Sequence, residues 1–198
     1  MQLNSMSKHL DGNDALEAIV VLFLRYRLQQ RMRICADAET GSSWLGDDGS
    51  LTRKLVALSK DQFEVQVLRQ EVATPGAAEA NALKMTQQTP VMIREVVLKG
   101  RGRPWVFARS ILPMTTMTGR LAGLRTLSNQ PLGELLFQDP SMTREPLEAA
   151  CLPARILSVP AALAAGDEPL WARRSVFFLD QKPLLVSEVF LSEFKPEV

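Results

Sequence analysis

Four apolar runs, arranged in two pairs with a short turn inside each pair, constrain the fold of this 198-residue chain more than any other feature. The first pair, 91–99 and 104–112, is joined by a turn that contains two glycines. The second pair, 171–179 and 183–191, is joined by a three-residue turn. Runs joined this closely must pair as antiparallel strands, because parallel strands need a long crossover between them. The sequence therefore predicts two β-hairpins.

The segments around the hairpins predict one more strand and several helices. Apolar and polar residues alternate over 63–72, which is the period of a half-buried strand. Ser50 is the expected N-cap of a helix over 51–58, and apolar stripes predict helices over 115–127 and 131–137. The remaining segments are predicted as a loop (73–80), a strand or short helix (142–151) and a surface insertion (152–168). The predicted fold class is α+β: a single antiparallel β-sheet with helices packed on it.

Composition limits the classes of function. With 46% hydrophobic and 23% charged residues, the chain has the make-up of one soluble globular domain. Its net charge of +1 argues against binding nucleic acid or a membrane surface through bulk attraction. Cys35 and Cys151 lack metal-ligand spacing and are expected to be reduced thiols. The one histidine, His9, leaves no His-dependent catalytic triad within the chain.

Residues 1–43 are predicted to be an N-terminal extension, and residues 44–198 the main domain. An amphipathic helix is predicted over 14–34. Its apolar run, 18–24, is far shorter than the roughly 20 residues that a membrane span needs. Acidic residues precede this run, where a signal peptide would carry basic ones. We therefore expect a cytoplasmic protein without a membrane span.

Three charged residues interrupt apolar strands: Arg94, Arg109 and Glu188. Neighbouring side chains alternate between the two faces of a strand, so each charge shares a face with apolar residues. A buried charge is costly unless it is paired. Together the three residues predict a cavity with more positive than negative charge, suited to a small dicarboxylate. A structural explanation also stays open for Arg94, as an edge residue with its guanidinium in water, paired with Glu71 or Glu95.

A structural explanation stays open for Glu188 as well. It could form an internal salt bridge, for example with Arg94, Arg109 or Arg173. The adjacent pair Arg173 and Arg174 is itself expected at the solvated surface, where most arginines lie.

Seven separated motifs stand out along the chain. They are SLTRK (50–54), IREVVL (93–98), PWVFARSILP (104–113), PLGELLF (131–137), MTR (142–144), LWARRS (170–175) and KPLLVSEVFL (182–191). In this order and at this spacing, over roughly residues 44 to 190, the set resembles the chorismate lyases of ubiquinone biosynthesis. The fold of that family, an antiparallel sheet flanked by helices, agrees with the strands and turns predicted above.

The resemblance implies an enzyme that eliminates pyruvate from chorismate and leaves 4-hydroxybenzoate, without a metal or an organic cofactor. Arg94 would bind the ring carboxylate and Glu188 the ring hydroxyl, as the two catalytic residues. Leu51 and Leu132 would line the site and contribute backbone contacts beneath helical flaps. Arg109 would lie near the side-chain carboxylate. The expected partners are the substrate and product alone, with no nucleic acid, and the expected state is a monomer.

Two other functions stay open. Effector domains of some bacterial transcription regulators resemble this fold, so the chain could bind a small aromatic acid without converting it. It could also be a degenerate lyase, altered at Leu51 or Ala108, where some chorismate lyases have Met and Gly respectively.

Overall fold

The computed structural model describes residues 44–196. The helix predicted over 14–34, and the extension that contains it, lie outside the described residues. Within the described range, no helix is both long enough and apolar enough to span a membrane.

One antiparallel sheet of seven strands forms the centre of the described chain. Its strands are β1 (Phe63–Ala73), β2 (Val91–Gly100), β3 (Arg103–Pro113), β4 (Thr143–Arg144), β5 (Glu148–Pro153), β6 (Pro169–Leu179) and β7 (Lys182–Phe190). Their order across the sheet is β1-β2-β3-β7-β6-β4, and β5 also pairs with β6. The helices are α1 (Leu51–Ser59), α2 (Ala77–Ala82) and α3 (Leu132–Gln138), with a 3-10 helix at Gly119–Thr126. The predicted α+β class is confirmed.

Both predicted hairpins, β2–β3 and β6–β7, are confirmed. The two central residues of each turn have positive φ: 53° at Arg101 and 75° at Gly102, then 49° at Asp180 and 63° at Gln181. Two successive left-handed residues make the turn whose twist matches that of the flanking strands. Because β3 also pairs with β7, the two hairpins join into one sheet at its centre.

The first helix and strand of the described chain agree with prediction. Ser50 caps α1, since its hydroxyl oxygen accepts a hydrogen bond from the backbone N–H of Arg53 at 3.3 Å. The predicted strand over 63–72 is found as β1. The helix predicted over 131–137 is found one residue later, as α3.

Two predicted boundaries are wrong for identifiable reasons. The predicted loop 73–80 contains the start of α2, where the Glu79 carboxylate accepts a hydrogen bond from the backbone N–H of Gly76 at 2.8 Å. The predicted α-helix over 115–127 is replaced by the short 3-10 helix, because Gly119 has a φ of 61° that no right-handed α-helix accommodates.

Of the two structures predicted for 142–151, a strand or a short helix, the strand is found, but in two pieces. Residues 142–151 divide into the two strands β4 and β5, and Pro146 between them has no N–H to offer the ladder. The segment 152–168, predicted to be a surface insertion, also contributes to the apolar core. Its residue Ala154 is fully buried and belongs to an apolar cluster with Phe107.

Strand alternation sorts the side chains of the sheet onto two faces. Arg94, Ser110 and Val186 are register neighbours on one face, which we name the front face, and α1 and α3 cover it. Glu95 and Arg109 are also register neighbours, but they project from the other face, the back face, where α2 lies. The front face therefore holds the residues that the covering helices enclose.

We expect Gly100→Ala to destabilise the fold, because a Cβ at Gly100 would lie 2.0 Å from the ring of the buried Trp105. Overpacking of this kind costs about 2 kcal/mol in the free energy of unfolding. Gly123→Ala is the matched control, since nothing lies within 4 Å of a Cβ built there. Urea unfolding of both variants checks the prediction, and equal stabilities would contradict it.

Candidate active site

A narrow cavity lies between the front face and the covering helices α1 and α3. Its volume is about 40 Å³, room for a few water molecules. Its charged lining residues are Arg94, Arg144, Arg173 and Glu188. Three guanidinium groups against one carboxylate give the lining a net charge of +2, which favours a ligand with two negative charges.

Arg94, on β2, is buried without a counter-ion. The residue is only 2% exposed. Its Nη2 donates to the backbone carbonyl oxygens of Ser128 at 2.8 Å and Gln130 at 3.0 Å. Its Nε is buried and has no hydrogen-bond partner, and no carboxylate of residues 44–196 forms an ion pair with it. Burial lowers the pKa of Arg94, but a guanidinium stays charged in a protein. An unsatisfied cationic donor of this kind is suited to bind an anion.

The alternative placement of Arg94 at an exposed edge is therefore wrong. Glu95 lies on the back face, and Glu71 pairs with Arg69 instead. Arg94 is buried because it projects from the front face, which α1, α3 and the segment containing Ser128 and Gln130 cover.

Arg144, on β4, repeats the situation of Arg94. Its Nη1 donates to the backbone carbonyl oxygen of Asp48 at 2.8 Å, while its Nε is buried and has no hydrogen-bond partner in the described part of the chain. The guanidinium carbon lies 4.8 Å from the ring centroid of Phe177, within the range of a cation–π contact. Burial lowers the pKa of Arg144, and the nearby Glu188 partly opposes that shift.

Glu188, on β7, forms an ion pair across the strands with Arg173 of β6. The Arg173 Nε donates to Glu188 Oε2 at 2.7 Å, and the two residues are direct register partners. The internal salt bridge that stayed open for Glu188 is therefore present, with Arg173 as its partner. The expected surface location of Arg173 is wrong, since this residue is 2% exposed.

The covering helices contribute their first residues to the cavity. Leu51 begins α1 and Leu132 begins α3, and both line the cavity with 3% and 5% exposure. The two helices meet at Thr52 and Gly133, where a Cβ on the glycine would lie 2.8 Å from the threonine Oγ1. This contact leaves no space for a larger residue between the two covers.

Arg109 is absent from the cavity lining. Its Nε donates to Glu79 Oε1 at 2.7 Å and its Nη1 donates to Glu95 Oε1, so two carboxylates hold it behind the sheet. Burial alone would lower the pKa of Arg109, but the bonds to Glu79 and Glu95 outweigh burial and raise it. The expected position of Arg109 beside a substrate carboxylate is corrected: it ties α2 to the back face.

The structure thus brings together four of the five residues predicted for the site and leaves one outside. The four are Arg94, Glu188, Leu51 and Leu132. The sequence did not identify Arg144 and Arg173 as lining residues, although they lie in the motifs MTR and LWARRS. Strand register was the missing signal, because it alone shows that Arg173 faces Glu188.

The fold and the closed cationic cavity are suited to a protein that binds a small anion. The sequence model of a family described as chorismate lyase matches residues 25–196. This chain belongs to the chorismate lyase family and is an enzyme of the lyase class. The match begins inside the segment 1–43 that the sequence predicts as an extension.

Several curated relatives are named probable chorismate pyruvate-lyase. The relative from Psychromonas ingrahamii is 42% identical over 151 residues, which cover 75% of this chain and 80% of that protein. One from Pseudomonas putida is 44% identical over 152 residues, 77% of this chain and 81% of that protein. One from Methylococcus capsulatus is 41% identical over 150 residues, 75% of this chain and 93% of that protein.

A solved structure shares the fold at low sequence identity. The effector domain of PhnF from Mycobacterium smegmatis superimposes with a TM-score of 0.51 and 19% identity, over 73% of this chain and 90% of that one. Likeness at this identity shows the fold alone.

We expect Arg109→Met and Arg94→Met to differ in their effects on stability. Arg109→Met removes the ion pairs to Glu79 and Glu95 and leaves these carboxylates with weaker partners, the backbone N–H of Gly76 at 2.8 Å and Arg69 Nη1 at 4.0 Å, so it should cost about 2 kcal/mol in the free energy of unfolding. Arg94→Met loses two hydrogen bonds but also removes an uncompensated buried charge, so the opposing effects should leave a small change.

Urea unfolding of the two variants, read against wild type, makes the comparison. The substitutions are identical and lie on adjacent strands, so they are matched in size and chemistry. Equal losses at the two positions would contradict the difference that we assign to their pairing.

Proposed function

We propose that this enzyme eliminates pyruvate from chorismate and releases 4-hydroxybenzoate, for use in ubiquinone biosynthesis. The observation that carries the proposal is a pair of arginines that line the cavity, the buried Arg94 and the half-buried Arg144, each with a buried Nε that has no hydrogen-bond partner among residues 44–196. Chorismate carries two carboxylates, so one molecule can satisfy both donors. The names of the curated relatives support the same substrate.

The proposed assignment follows the position of each group in the cavity. Arg94 binds the ring carboxylate and Glu188 accepts a hydrogen bond from the ring hydroxyl, while Leu51 and Leu132 enclose the ring. Arg144 takes the role expected of Arg109 and binds the carboxylate of the enolpyruvyl side chain. Planar guanidinium groups suit both tasks, because they can bind a carboxylate through two parallel hydrogen bonds.

The proposed reaction moves one hydrogen within the substrate. The ether C–O bond between ring and side chain breaks, and the hydrogen on the hydroxyl-bearing ring carbon moves to the side-chain methylene carbon. The ring becomes aromatic as 4-hydroxybenzoate, and the side chain leaves as pyruvate with a new methyl group. Atoms and charges balance without an external acid or base, so the residues act mainly by holding a reactive conformation.

Access to the cavity requires movement of its covers. A volume of about 40 Å³ is too small for a six-membered ring with two substituents, which needs on the order of the few hundred Å³ typical of ligand sites. In the proposed cycle α1 and α3 move apart at the Thr52–Gly133 contact to admit chorismate and release product, as the helical flaps of the family imply.

The first test mixes the pure protein with chorismate and measures pyruvate and 4-hydroxybenzoate in equal amounts. We expect both products to form well above the spontaneous rate. Arg94→Met should lose at least about 100-fold in kcat/KM, because a charge-assisted bidentate contact is removed. Binding of chorismate without conversion would favour the non-catalytic module, and absence of both binding and turnover would overturn the proposal.

A second test separates the two anion sites. Arg144→Met should weaken chorismate binding about tenfold or more and leave the affinity for 4-hydroxybenzoate within about threefold, because the product lacks the second carboxylate. Arg109→Met, assayed well below its unfolding midpoint, is the matched control and should leave both affinities near wild type. A normal chorismate KM in Arg144→Met, or a raised one in Arg109→Met, would reverse this assignment.

A further inference from the structure

Arg173 is bonded to three acceptors that belong to separate parts of the chain. Its Nε donates to Glu188 Oε2 at 2.7 Å, and its Nη1 donates to the backbone carbonyl oxygens of Trp44 at 2.6 Å and Asp47 at 2.9 Å. The residue is 2% exposed, so these bonds form away from bulk water. The planar guanidinium fixes the directions of all three bonds at once.

The ion pair with Arg173 occupies one carboxylate oxygen of Glu188 and leaves the other able to bind a ligand. Glu188 Oε2 is bound by Arg173, whereas no residue of 44–196 donates a hydrogen bond to Oε1. The Glu188 side chain is 18% exposed and lines the cavity. Without Arg173 this carboxylate could take several rotamers, and a hydrogen bond to a ligand would have to select one of them.

The same guanidinium reaches the segment that leads into the cover α1. Beyond its carbonyl bond to Arg173, Asp47 holds Lys54 of α1 through its Oδ2 at 2.6 Å and the backbone N–H of Gly49 through its Oδ1 at 2.6 Å. The Lys54 bond lowers the pKa of Asp47, so the carboxylate is charged at neutral pH. A continuous set of bonds therefore runs from Glu188 through Arg173 and Asp47 to α1.

We propose that Arg173 is a positioning residue, which orients Glu188 toward the ring hydroxyl and ties that carboxylate to the cover α1. This role rests on the proposed function, because it requires a ligand whose hydroxyl meets Glu188. Arg173 itself touches no reacting atom. Its contribution is specific to the hydroxyl end of the ligand and leaves the ring carboxylate to Arg94.

The test compares two probes, 4-hydroxybenzoate and benzoate, which differ only in the hydroxyl group. Their dissociation constants are measured calorimetrically for wild type and for Arg173→Met, with Arg173→Lys as a second variant that keeps the charge but not the planar fork. Arg174→Met is the matched control, since this neighbouring residue pairs with Glu148 on the back face.

We expect wild type to prefer 4-hydroxybenzoate, and Arg173→Met to lose about tenfold or more of that preference while its affinity for benzoate stays within about threefold. Arg173→Lys should be intermediate, and it supplies the result if Arg173→Met does not fold. Arg174→Met should keep the wild-type preference. The double variant Arg173→Met/Glu188→Gln should show no further loss of preference beyond Glu188→Gln alone, because both changes remove the same interaction.

A merely structural role would weaken both probes equally, and that result in Arg173→Met and Arg173→Lys would overturn the proposal, as would an unchanged preference. A wild-type protein that binds the two acids equally would instead overturn the proposed contact of Glu188 with the hydroxyl. The two failures are therefore distinguishable.

Discussion

The front face is built around Arg94, a buried guanidinium that forms no ion pair with a carboxylate of residues 44–196. Arg94 projects from the front face beneath α1 and α3, and its hydrogen-bond partners among residues 44–196 are two backbone carbonyls. Such a residue lowers stability unless another interaction offsets its desolvation. In the proposed function that interaction comes from the substrate. The site is then a place where the fold gives up stability in the absence of ligand and regains it on binding.

The buried and half-buried arginines of the sheet differ in whether a carboxylate compensates their charge. Arg109 has two carboxylates on the back face and Arg173 has one on the front face. Within residues 44–196, Arg94 and Arg144 form hydrogen bonds to backbone carbonyls and no ion pair with a carboxylate, and each has one unsatisfied Nε. Arg94 and Arg109 both interrupt apolar strands, yet only Arg109 has carboxylate partners, so a charge within an apolar run is a poor guide to function by itself. The informative property is whether a partner of opposite charge has been supplied.

The architecture could be predicted from the sequence because its determinants are local. Short turns with left-handed residues specify the hairpins, and the hairpins specify antiparallel pairing. The charges within apolar strands suggested one cavity for Arg94 and Glu188, and the resemblance supported it over the structural explanations that stayed open. Alternation assigns residues to a face within one strand, but it does not say which face of one strand aligns with which face of another. Arg109 was assigned to the wrong face for this reason, and Arg173 was left at the surface, since both depend on register.

In the proposed reaction, the charge of the bound molecule affects whether the covers α1 and α3 stay closed. With chorismate enclosed, Arg94 and Arg144 would each have a carboxylate, and the closed arrangement of α1 and α3 would be electrostatically satisfied. Once the C–O bond breaks, the two carboxylates belong to separate molecules, and departure of pyruvate leaves Arg144 again without a partner. The closed site would then contain one ion pair between an arginine and the ligand instead of two. In the proposed function, the dianionic substrate would therefore favour closure more than the monoanionic product does, and the chemical step would weaken the interactions that keep the site shut.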